Sequence, residues 1–410
     1  MIELEEAQKF VLERVAPMAP VMIDVARARG CVLAAEVVAR EAVPGFVNSS
    51  MDGFAMRASD TSPQGARLRV VDQVYAGDVS SIELAPGQAV RIMTGAPLPA
   101  GADCVCMIEE AVLDAQTVTV SRQFSPGDYV RQVGEDTRPG QVLLSPGDVL
   151  DAARIGVLAG QGVTQVLAHR RPRVGVLSTG NELVDDNSPL GPGAIRDLNR
   201  PLLLALLEES GFEPVDLGTA RDTREAITSS LSRGVRECDA VVSTGGVSVG
   251  DVDFVKVVLG ELPESEARWM QVAIKPAKPF AFAVVGPQRT PVFGLPGNPV
   301  STKVSFEMFV RPALRVLAGH RILERPSTMA VLDEPLDRRA DGKVHLVHVT
   351  VAWGEAGRLR VTDVRRHGSH LLNAIAGANA IAVVREGAPS RAGDAVRVII
   401  LDAESLGGAS

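Results

Sequence analysis

The sequence predicts a multidomain protein of the α/β plus β class. A chain of 410 residues exceeds the usual length of one domain. Strand and helix patterns alternate in its middle part, and short strand patterns lie on both sides of that part. We expect residues 171–320 to form a three-layer α/β domain, 44–144 an inserted β-rich domain and 321–410 a C-terminal β domain. Residues 1–43 and 145–170 are expected to form a helical linker region.

Both parts of the linker region contain helical patterns. Residues 3–16 have apolar side chains near helical spacing, and residues 32–39 (VLAAEVVA) form a second apolar helical pattern. Residues 151–162 (DAARIGVLAGQG) predict a further helix, which we expect to pack with the amino-terminal helices. Residues 44–144, with short β-rich runs separated by turns such as APGQ and SPGD, would then be an insertion into this region.

The middle part alternates between strand and helix. We expect strands at RVGVLSTG, FEPVDLG and DAVVSTGG, with helices between them at PLLLALLEESG and REAITSSLSRGV. This order predicts a parallel sheet with helices on both faces. After Gly319 the alternating patterns VHLVHVTV, RLRVTDV, AIAVV and DAVRVIIL predict a small β domain.

Composition excludes several classes of protein. A net charge of −8, no stripe of Lys or Arg and only 4% aromatic residues argue against a nucleic-acid-binding protein. No apolar run is long enough to span a membrane, and the acidic start lacks the pattern of a signal peptide. Four scattered cysteines do not form a disulfide framework, and we expect Cys104 and Cys106 to pack on one face of a strand. We therefore expect a cytoplasmic protein without a membrane partner.

Residues 239–253 (DAVVSTGGVSVGDVD) are the most informative segment. A buried strand is followed by a nearly bare backbone that includes Gly245, Gly246 and Ser248, and then by the acids Asp251 and Asp253. Ligands bind beyond the carboxyl ends of strands in open α/β sheets, where free N–H groups suit anions. Two acids beside such a backbone suggest phosphate held with a divalent metal. The alternative is a tight turn with two solvated acids.

Two other predicted strand ends have similar chemistry. Residues 178–182 (STGNE) include Ser178, Gly180 and Glu182, and residues 219–222 end in Asp222. Neighbouring strand ends would form a single cleft. Alternatively, Asp222 is an ordinary helix N-cap and Glu182 a solvated acid.

Lys275 and Lys278 supply positive charge, and each precedes a proline. Residues before proline are extended, and polyproline geometry has three residues per turn, so we expect both lysines on one side, facing an anion. Alternatively, they are two surface lysines in a Pro-rich loop.

The segment LPGNPVS predicts a turn that feeds a helix, with Asn298 as N-cap and Pro299 as first helical residue. Together with Pro296 and Gly297 it would form a second anion site. The alternative is a well-capped helix without a ligand.

A serine hydrolase is a weaker interpretation. Residues 246–250 (GVSVG) fit the G-x-S-x-G pattern, with His367 or His370 as a distant base. Acids so close to the serine would disfavour a developing oxyanion, and the glycine pair suits a bound anion better. The glycine motifs of P-loop NTPases and dinucleotide-binding proteins are missing.

Eight segments together resemble the molybdopterin molybdenumtransferases, that is, the MoeA proteins and the gephyrin E domain. They run in the family's order from residue 44 to 380: NSSMDGFA, RIMTGAPLPAGAD, VRQVGED, LSTGNEL, STGGVSVGDVDF, IKPAKPFAF, LPGNPVS and HGSHLLNAIAGAN. The resemblance implies that the α/β domain is of the molybdopterin-binding type. It also implies an elongated homodimer whose active site combines the α/β domain of one subunit with the β-rich domain of the other.

The implied reaction takes adenylylated molybdopterin and molybdate, inserts molybdenum and releases AMP. The resemblance places molybdate at Lys275 and Lys278, the pyrophosphate at Gly245–Ser248 and magnesium at Asp253, with Glu182 nearby. Four further residues would complete the site: Asp222 in the cleft, Asp52 and Thr94 from the second subunit, and Ser369 from the C-terminal domain.

One departure from the family concerns the C-terminal domain. The family often has arginines around Lys343 and a few residues later, where this chain has His345 or His348.

Three alternatives for the function remain open: adenylylation of molybdopterin, a non-catalytic dimeric scaffold, and tungsten in place of molybdenum. The inserted and C-terminal β domains favour insertion of the metal, because adenylylating proteins resemble the α/β part alone.

Overall fold

The computed structural model describes residues 1–246, 254–336, 341–354, 357–363, 375–386 and 391–407. Two units emerge from the contacts within the chain: Met1–Ala34, Pro146–Ala152 and Gln165–Ser410 in the first, and Ala35–Ser145 and Ala153–Thr164 in the second. Within the described ranges, no helix is both long and apolar enough to cross a membrane.

The chain begins with helix α1 (Leu4–Leu12) and the short strands β1 (Val21–Asp24) and β2 (Val32–Leu33). The helix forms as predicted and buries Leu4, Ala7 and Val11. The predicted second helix at 32–39 is wrong, because this stretch contains β2 and β3 (Val37–Val38). Each strand pairs with residues more than a hundred positions away, and such pairing overrides a local helical pattern.

The second unit is rich in β-structure. A six-stranded sheet, in the order β8-β5-β7-β6-β10-β9, is accompanied by the pairs β4-β11 and β3-β12. The bounds are β4 (Asn48–Ser49), β5 (Gly53–Met56), β6 (Ala66–Val74), β7 (Gln88–Ile92), β8 (Cys104–Met107), β9 (Ala111–Asp114), β10 (Thr117–Val120), β11 (Val130–Arg131) and β12 (Val142–Leu144). Cys104 and Cys106 are buried in one apolar cluster with Phe54 and Leu68, as predicted. Burial raises the pKa of the Cys104 thiol to about 12, so this thiol stays protonated.

Helix α2 (Ala152–Gly160) forms where the sequence predicts a helix, but it belongs with the β-rich unit. Just after it, Gln161 Oε1 accepts hydrogen bonds from the backbone N–H groups of Arg40 and Glu41 at 2.9 and 3.2 Å. The prediction that this helix packs with the amino-terminal helices is therefore wrong. The Gln161 side-chain amide is buried and needs hydrogen-bond partners, so its bonds to residues 40 and 41 fix the position of the end of α2.

The α/β part contains the predicted strands and helices. Before this part, β13 (Gln165–His169) pairs with β1 and β2 in a separate three-stranded sheet. The strands of the α/β part are β14 (Arg173–Thr179), β15 (Leu183–Val184), β16 (Ile195–Arg196), β17 (Glu213–Ala220), β18 (Ala240–Thr244), β19 (Glu266–Gln271), β20 (Ile274–Lys275), β21 (Pro279–Val285) and β22 (Thr290–Leu295). Its helices are α3 (Asn199–Glu209), α4 (Arg224–Glu237), α5 (Phe254–Glu261), α6 (Pro299–Ser305) and α7 (Arg311–Leu317), with a π-helical turn at Phe306–Val310 between the last two.

The main sheet has the order β17-β14-β18-β22-β21-β19. Its first four strands are parallel to one another. Strand β21 pairs antiparallel with both of its neighbours, β22 and β19. One face packs on a core that includes Leu203 and Leu207 of α3, and the other on a core that includes Leu231 of α4 and Val255 of α5. The three-layer α/β arrangement predicted from the sequence is thus confirmed.

The last five strands form a closed ring. They are β23 (Ser327–Leu332), β24 (Val344–Trp353), β25 (Leu359–Asp363), β26 (Ala380–Val384) and β27 (Ala395–Ile400). The order β24-β25-β23-β27-β26 closes because β24 also pairs with β26. Strand β20 joins this ring, with Lys275 opposite His345. The predicted C-terminal β domain is present and borrows one strand from the α/β part.

Candidate functional site

The carboxyl ends of four parallel strands lie at one edge of the main sheet. Strands β17, β14, β18 and β22 are neighbours in that order, so the segments that follow them are brought together. We call this group the strand-end site and define it as residues 178–182, 219–222, 244–246 and 295–299. In open α/β sheets this edge is the usual place for a ligand.

After β14, the polar side chains are already engaged with the protein. Ser178 is fully buried, and its hydroxyl donates to Asp197 Oδ1 at 3.0 Å. A Cβ placed on Gly180 would lie 2.8–2.9 Å from the Glu182 carboxylate atoms, so the exposed Glu182 side chain folds back over the strand end. Ser178 therefore supports the site through a buried hydrogen bond, whereas the Glu182 carboxylate is exposed at the surface of the site.

Asp222 is joined to the first strand end by reciprocal hydrogen bonds. Asn181 N donates to Asp222 Oδ2 at 3.3 Å, and Asp222 N donates to Asn181 Oδ1 at 3.2 Å. The N-cap of the following helix is Thr223, whose hydroxyl accepts from Ala226 N at 3.3 Å. Asp222 is thus not an ordinary N-cap, and its carboxylate accepts from the backbone N–H of Asn181, the residue before Glu182.

The turn after β18 needs its glycines. Gly245 has φ +93°, and a Cβ there would lie 2.3 Å from the carbonyl oxygen of Thr179. Gly246 has φ +65°, and its Cβ would lie 2.6 Å from a methyl group of Val255. Both positions combine a left-handed backbone with close packing, so only glycine fits. The result is a backbone free of side chains at the centre of the site.

The turn after β22 also lies at this edge. Asn298 is the N-cap residue of α6 and Pro299 its first residue, as predicted. The Asn298 side chain makes no capping hydrogen bond to a described residue, however, and its Oδ1 is buried without a partner in the same part of the chain. Thr302 supplies the local contacts instead: its hydroxyl lies 2.6 Å from Pro296 O and 3.0 Å from Asn298 O.

Lys278 lies at the same edge of the sheet. Strand β21 runs antiparallel to β22 with Ala281 opposite Gly294, so the start of β21 lies beside the end of β22. Lys278 directly precedes β21 and is partly exposed. Lys275 is exposed and belongs to β20. The predicted polyproline geometry is wrong, because Ala277 between the lysines has φ +75°.

The basic residues near residue 343 are occupied within the chain. Asp341 accepts from Lys343 Nζ at 3.1 Å and lies 2.9 Å from His345 Nε2. The His345 and Lys343 contacts lower the pKa of Asp341 to about 2. His348 is buried and makes no such contact with a described residue. In this arrangement Lys343 pairs with Asp341, and His345 contacts the same carboxylate.

Asp52 and Thr94 form a second predicted group, in the β-rich unit. Thr94 N and Thr94 Oγ1 both donate to Asp52 Oδ1 at 2.7 Å. These bonds lower the pKa of Asp52, which is exposed. Nearby, β4 pairs with β11, and Asn48 forms a bridge with Pro97. Three segments that periodicity alone would leave as turns therefore converge on one patch.

The predicted residues Ser248, Asp253 and Ser369 lie outside the described residues. Within the described ranges, no group of three His, Cys, Asp or Glu side chains could hold a metal ion. Glu182 nevertheless offers an exposed carboxylate over Gly180, and carboxylate oxygens are ligands that magnesium prefers. Because magnesium commonly uses one or two carboxylates plus phosphate and water, this carboxylate fits such an ion as one of its ligands.

Sequence reasoning missed one short segment at the start of α3. Asp197 accepts from Ser178 and from Arg200, whose guanidinium also binds Asp216 and Asp185. Asn199 contacts Thr244 and Gly297. The available signal was a polar stretch, RDLNR, directly before the apolar part of a helix. Together with the hydrogen bond from the Thr219 hydroxyl to Asp197, these contacts connect the segment to all four strand ends.

Three family models match the chain. They are described as "MoeA N-terminal region (domain I and II)" at residues 2–162, "Probable molybdopterin binding domain" at 175–316 and "MoeA C-terminal region (domain IV)" at 332–401. The matched ranges cover most of the chain and follow the order that the sequence predicts.

Curated relatives extend over nearly the whole chain. The molybdopterin molybdenumtransferase of Haemophilus influenzae is 34% identical over 388 residues, covering 94% of this chain and 95% of its own. That of Bacillus subtilis is 33% identical, covering 91% and 88%. The crystal structure of the molybdopterin biosynthesis MoeA protein from Pyrococcus horikoshii OT3 superposes with a TM-score of 0.80 at 26% identity, covering 98% of this chain and all of that one. The chain belongs to the molybdopterin molybdenumtransferase (MoeA) family.

Proposed function

We propose that this protein transfers molybdenum from molybdate to adenylylated molybdopterin and releases AMP. The observation on which this rests most is the position of Lys278 at the carboxyl edge of the sheet, beside the end of β22, whose following turn touches the glycine turn. One edge then offers a cation for an oxyanion and bare backbone for phosphates. In the reaction the two dithiolene thiols replace two oxygen ligands of molybdate, which leave as hydroxide with the thiol protons, and the oxidation state of molybdenum is unchanged. A water molecule hydrolyses the phosphoanhydride, and AMP leaves.

Each of the described site residues has a proposed role in binding the substrates. Lys275 and Lys278 bind the molybdate oxyanion, and the backbone of Gly245 and Gly246 approaches the pyrophosphate closely. Ser248, two residues after Gly246 in the sequence, is assigned to the same phosphates. Asp222 stays fixed by Asn181 at the surface of the site. The turn at Pro296–Pro299 borders the other side of the glycine turn.

Magnesium is proposed as the cofactor, held by Glu182 and by Asp253. When bound, it would neutralise phosphate charge as AMP leaves. The accessible Glu182 carboxylate over Gly180 supports this assignment, because hard oxygen ligands suit the ion. The protein's own part is to orient that carboxylate and to exclude side chains from the neighbouring turn.

A homodimer is proposed as the active form, with Asp52 and Thr94 of one subunit and Ser369 of the C-terminal domain completing the site. The exposed Asp52 carboxylate, fixed by Thr94 and flanked by the exposed Met51, supports a role in contacting a second subunit.

We propose that the reaction takes place in the cytoplasm. All four cysteines are free and buried, which suits a reducing compartment.

The test is to incubate the purified protein with adenylylated molybdopterin, magnesium and molybdate and to follow AMP by chromatography. We expect AMP release that depends on molybdate. Release that is independent of molybdate, or no release, would refute the proposal. An adenylyltransferase would instead consume ATP and molybdopterin, and a scaffold would give no turnover with either substrate pair. Replacing molybdate with tungstate in the same assay decides between the two metals.

A further inference from the structure

Asn199, the first residue of α3, links two segments of the strand-end site. Only 9% of it is exposed. Its Nδ2 donates to Gly297 O at 2.6 Å and to Thr244 Oγ1 at 3.0 Å. Gly297 belongs to the turn after β22, and Thr244 directly precedes the glycine turn after β18. One amide thus fixes the two turns relative to each other.

The two linked turns are in close contact. A Cβ added to Gly297 would lie 3.7 Å from Gly245 Cα, so their backbones nearly touch. The Thr244 hydroxyl in turn donates to Pro296 O at 3.2 Å, and the Thr302 hydroxyl lies 2.6 Å from the same oxygen. Thr244 and Thr302 are both buried. The connection between the turns is therefore a short chain of buried hydrogen bonds.

This chain of hydrogen bonds holds two carbonyl oxygens of the second turn, Pro296 O and Gly297 O. Carbonyl oxygens carry partial negative charge and repel a phosphate, whereas backbone N–H groups attract it. Since both oxygens point to partners within the protein, they are not directed at a ligand above the sheet edge. Asn199 satisfies one of them directly and the other through Thr244.

The orientation of the Asn199 amide is fixed by its partners. Gly297 O can only accept a hydrogen bond, so the nitrogen of the amide must face it. The other amide atom, Oδ1, is buried and has no hydrogen-bond partner among the described residues. Such a buried, half-satisfied amide requires an explanation, because most buried polar atoms are paired. The two hydrogen bonds of Nδ2 to the turns are the described contacts that hold this amide in place.

We propose that Asn199 is a positioning residue for the phosphate groups of the substrate. It acts through the backbone of the two turns and does not itself touch the ligand. This inference rests on the proposed function, because it assumes that the strand-end site holds adenylylated molybdopterin. It predicts that loss of the amide weakens phosphate binding while molybdate binding at the lysines is retained.

The experiment compares Asn199→Ala and Asn199→Asp with the wild-type full-length protein, using AMP and molybdate as separate probes in calorimetric titrations. We expect Asn199→Ala to raise the Kd for AMP at least tenfold and to change the Kd for molybdate less than twofold. Asn199→Asp should be worse for AMP, since it places a carboxylate oxygen against Gly297 O. Unchanged AMP affinity in Asn199→Ala would overturn the inference.

The matched control is Asn379→Ala. Asn379 is buried to a similar extent, and its side chain accepts from Val351 N at 2.7 Å and donates to Val351 O at 2.8 Å in the C-terminal ring. It should lower the thermal midpoint by a similar amount without changing either Kd. If Asn379→Ala weakens AMP binding as much as Asn199→Ala, the effect is a general loss of stability and the inference is wrong.

Thr244→Val provides a second variant in case Asn199→Ala does not fold. It keeps the shape of the side chain but removes the hydroxyl between Asn199 and Pro296. We expect at least a threefold weaker AMP Kd, and an unchanged Kd would also refute the inference. The outcome is separable from the proposed function: absence of molybdate-dependent AMP release by the wild type refutes that function, whereas equal AMP affinities refute only the role of Asn199.

Discussion

Thr94 donates two hydrogen bonds to the same oxygen of Asp52, one from its backbone N–H and one from its hydroxyl, each at 2.7 Å. The two residues are 42 positions apart in the chain. Both bonds favour the charged carboxylate, and they lower the pKa of Asp52 although it is exposed. The pair thus presents a fixed negative charge on the surface of the β-rich unit.

Removing the charge of Asp52 should reduce turnover. We expect Asp52→Asn to lower the rate of molybdate-dependent AMP release by roughly 10²-fold, as for other preorganised charges in active sites. Gel filtration should show an unchanged oligomeric state. Asp78→Asn, at another exposed aspartate of the same unit, is the control and should be neutral. Wild-type turnover in Asp52→Asn would remove this residue from the site.

Removing the Thr94 hydroxyl should raise the pKa of Asp52. Thr94→Val keeps the backbone hydrogen bond and loses the other, so the pKa moves toward its usual value without reaching it. The stabilisation is present above the unfolded pKa of about 3.9 and is lost as pH falls through the lower folded value. NMR titration of the side-chain carboxyl carbon measures the shift, and Thr94→Ser should restore the wild-type curve.

Replacing Lys278 should affect the oxyanion more than the nucleotide. Lys278→Met keeps most of the side-chain length but removes the charge, and we expect at least a tenfold weaker molybdate Kd with little change for AMP. Lys9→Met is the matched control, because Lys9 is an exposed lysine on α1 that pairs only weakly with Glu13 at 3.7 Å. If both ligands weaken together in Lys278→Met, the assignment of the lysine to molybdate is wrong.

The glycine turn should not tolerate a methyl group. Gly245→Ala would place a Cβ 2.3 Å from Thr179 O at φ +93°, and we expect it to destabilise the fold by more than about 2 kcal/mol. Gly260→Ala is the control, since a Cβ there meets no described atom within 4 Å. That substitution, in helix α5, should be neutral or stabilising by up to about 1 kcal/mol. Urea denaturation measures the free energy of unfolding of both variants and of the wild type. Equal values for Gly245→Ala and Gly260→Ala would contradict the prediction.

Acid should destabilise the C-terminal ring through His348. Burial and the nearby Lys303 lower the pKa of His348 to about 4, and only 6% of the residue is exposed. The unfolded chain therefore binds the proton first: stability is full above pH 6.5, falls as the pH is lowered and levels off below pH 4. For one such group the loss at pH 5 is about 2 kcal/mol.

His348→Met should remove this part of the pH dependence. We expect the wild-type urea midpoint to fall more between pH 7 and pH 5 than the midpoint of the variant. Trp353, on the same strand β24, reports the transition by fluorescence. Equal falls in both proteins would show that His348 does not titrate with unfolding.

The fold could be predicted where the local pattern and the final contacts agree. Strands β14 and β18 are short apolar runs that become central parallel strands, and Gly211 ends α3 with φ +82° as expected for a terminating glycine. The stretch 32–39 could not be predicted, because its strands depend on partners near residues 142 and 168. A helical pattern without a helical partner has no stabilising contact.

The candidate site also contains features that the local sequence predicts and features that depend on contacts between distant residues. The glycine turn at 245–246 could be predicted, since only glycine permits that backbone. Only the family resemblance indicates Asp52 and Thr94, and it does not predict their hydrogen bonds to each other. The arrangement of Lys275 and Lys278 depends on the left-handed conformation of Ala277, which no local rule indicates for an alanine. Asn199 acts through contacts 45 and 98 positions away in the chain.

The pairing of β20 with β24 limits how far this protein can be divided into independent modules. Lys275 belongs by sequence to the α/β part, yet its backbone completes the C-terminal ring opposite His345. A fragment that ends near residue 320 would retain the main sheet but leave this lysine on an unpaired strand. The C-terminal ring therefore fixes the backbone at Lys275 through the pairing of β20 with β24. Exchange of that ring between relatives should alter affinity for the metal oxyanion even when every side chain of the site is kept.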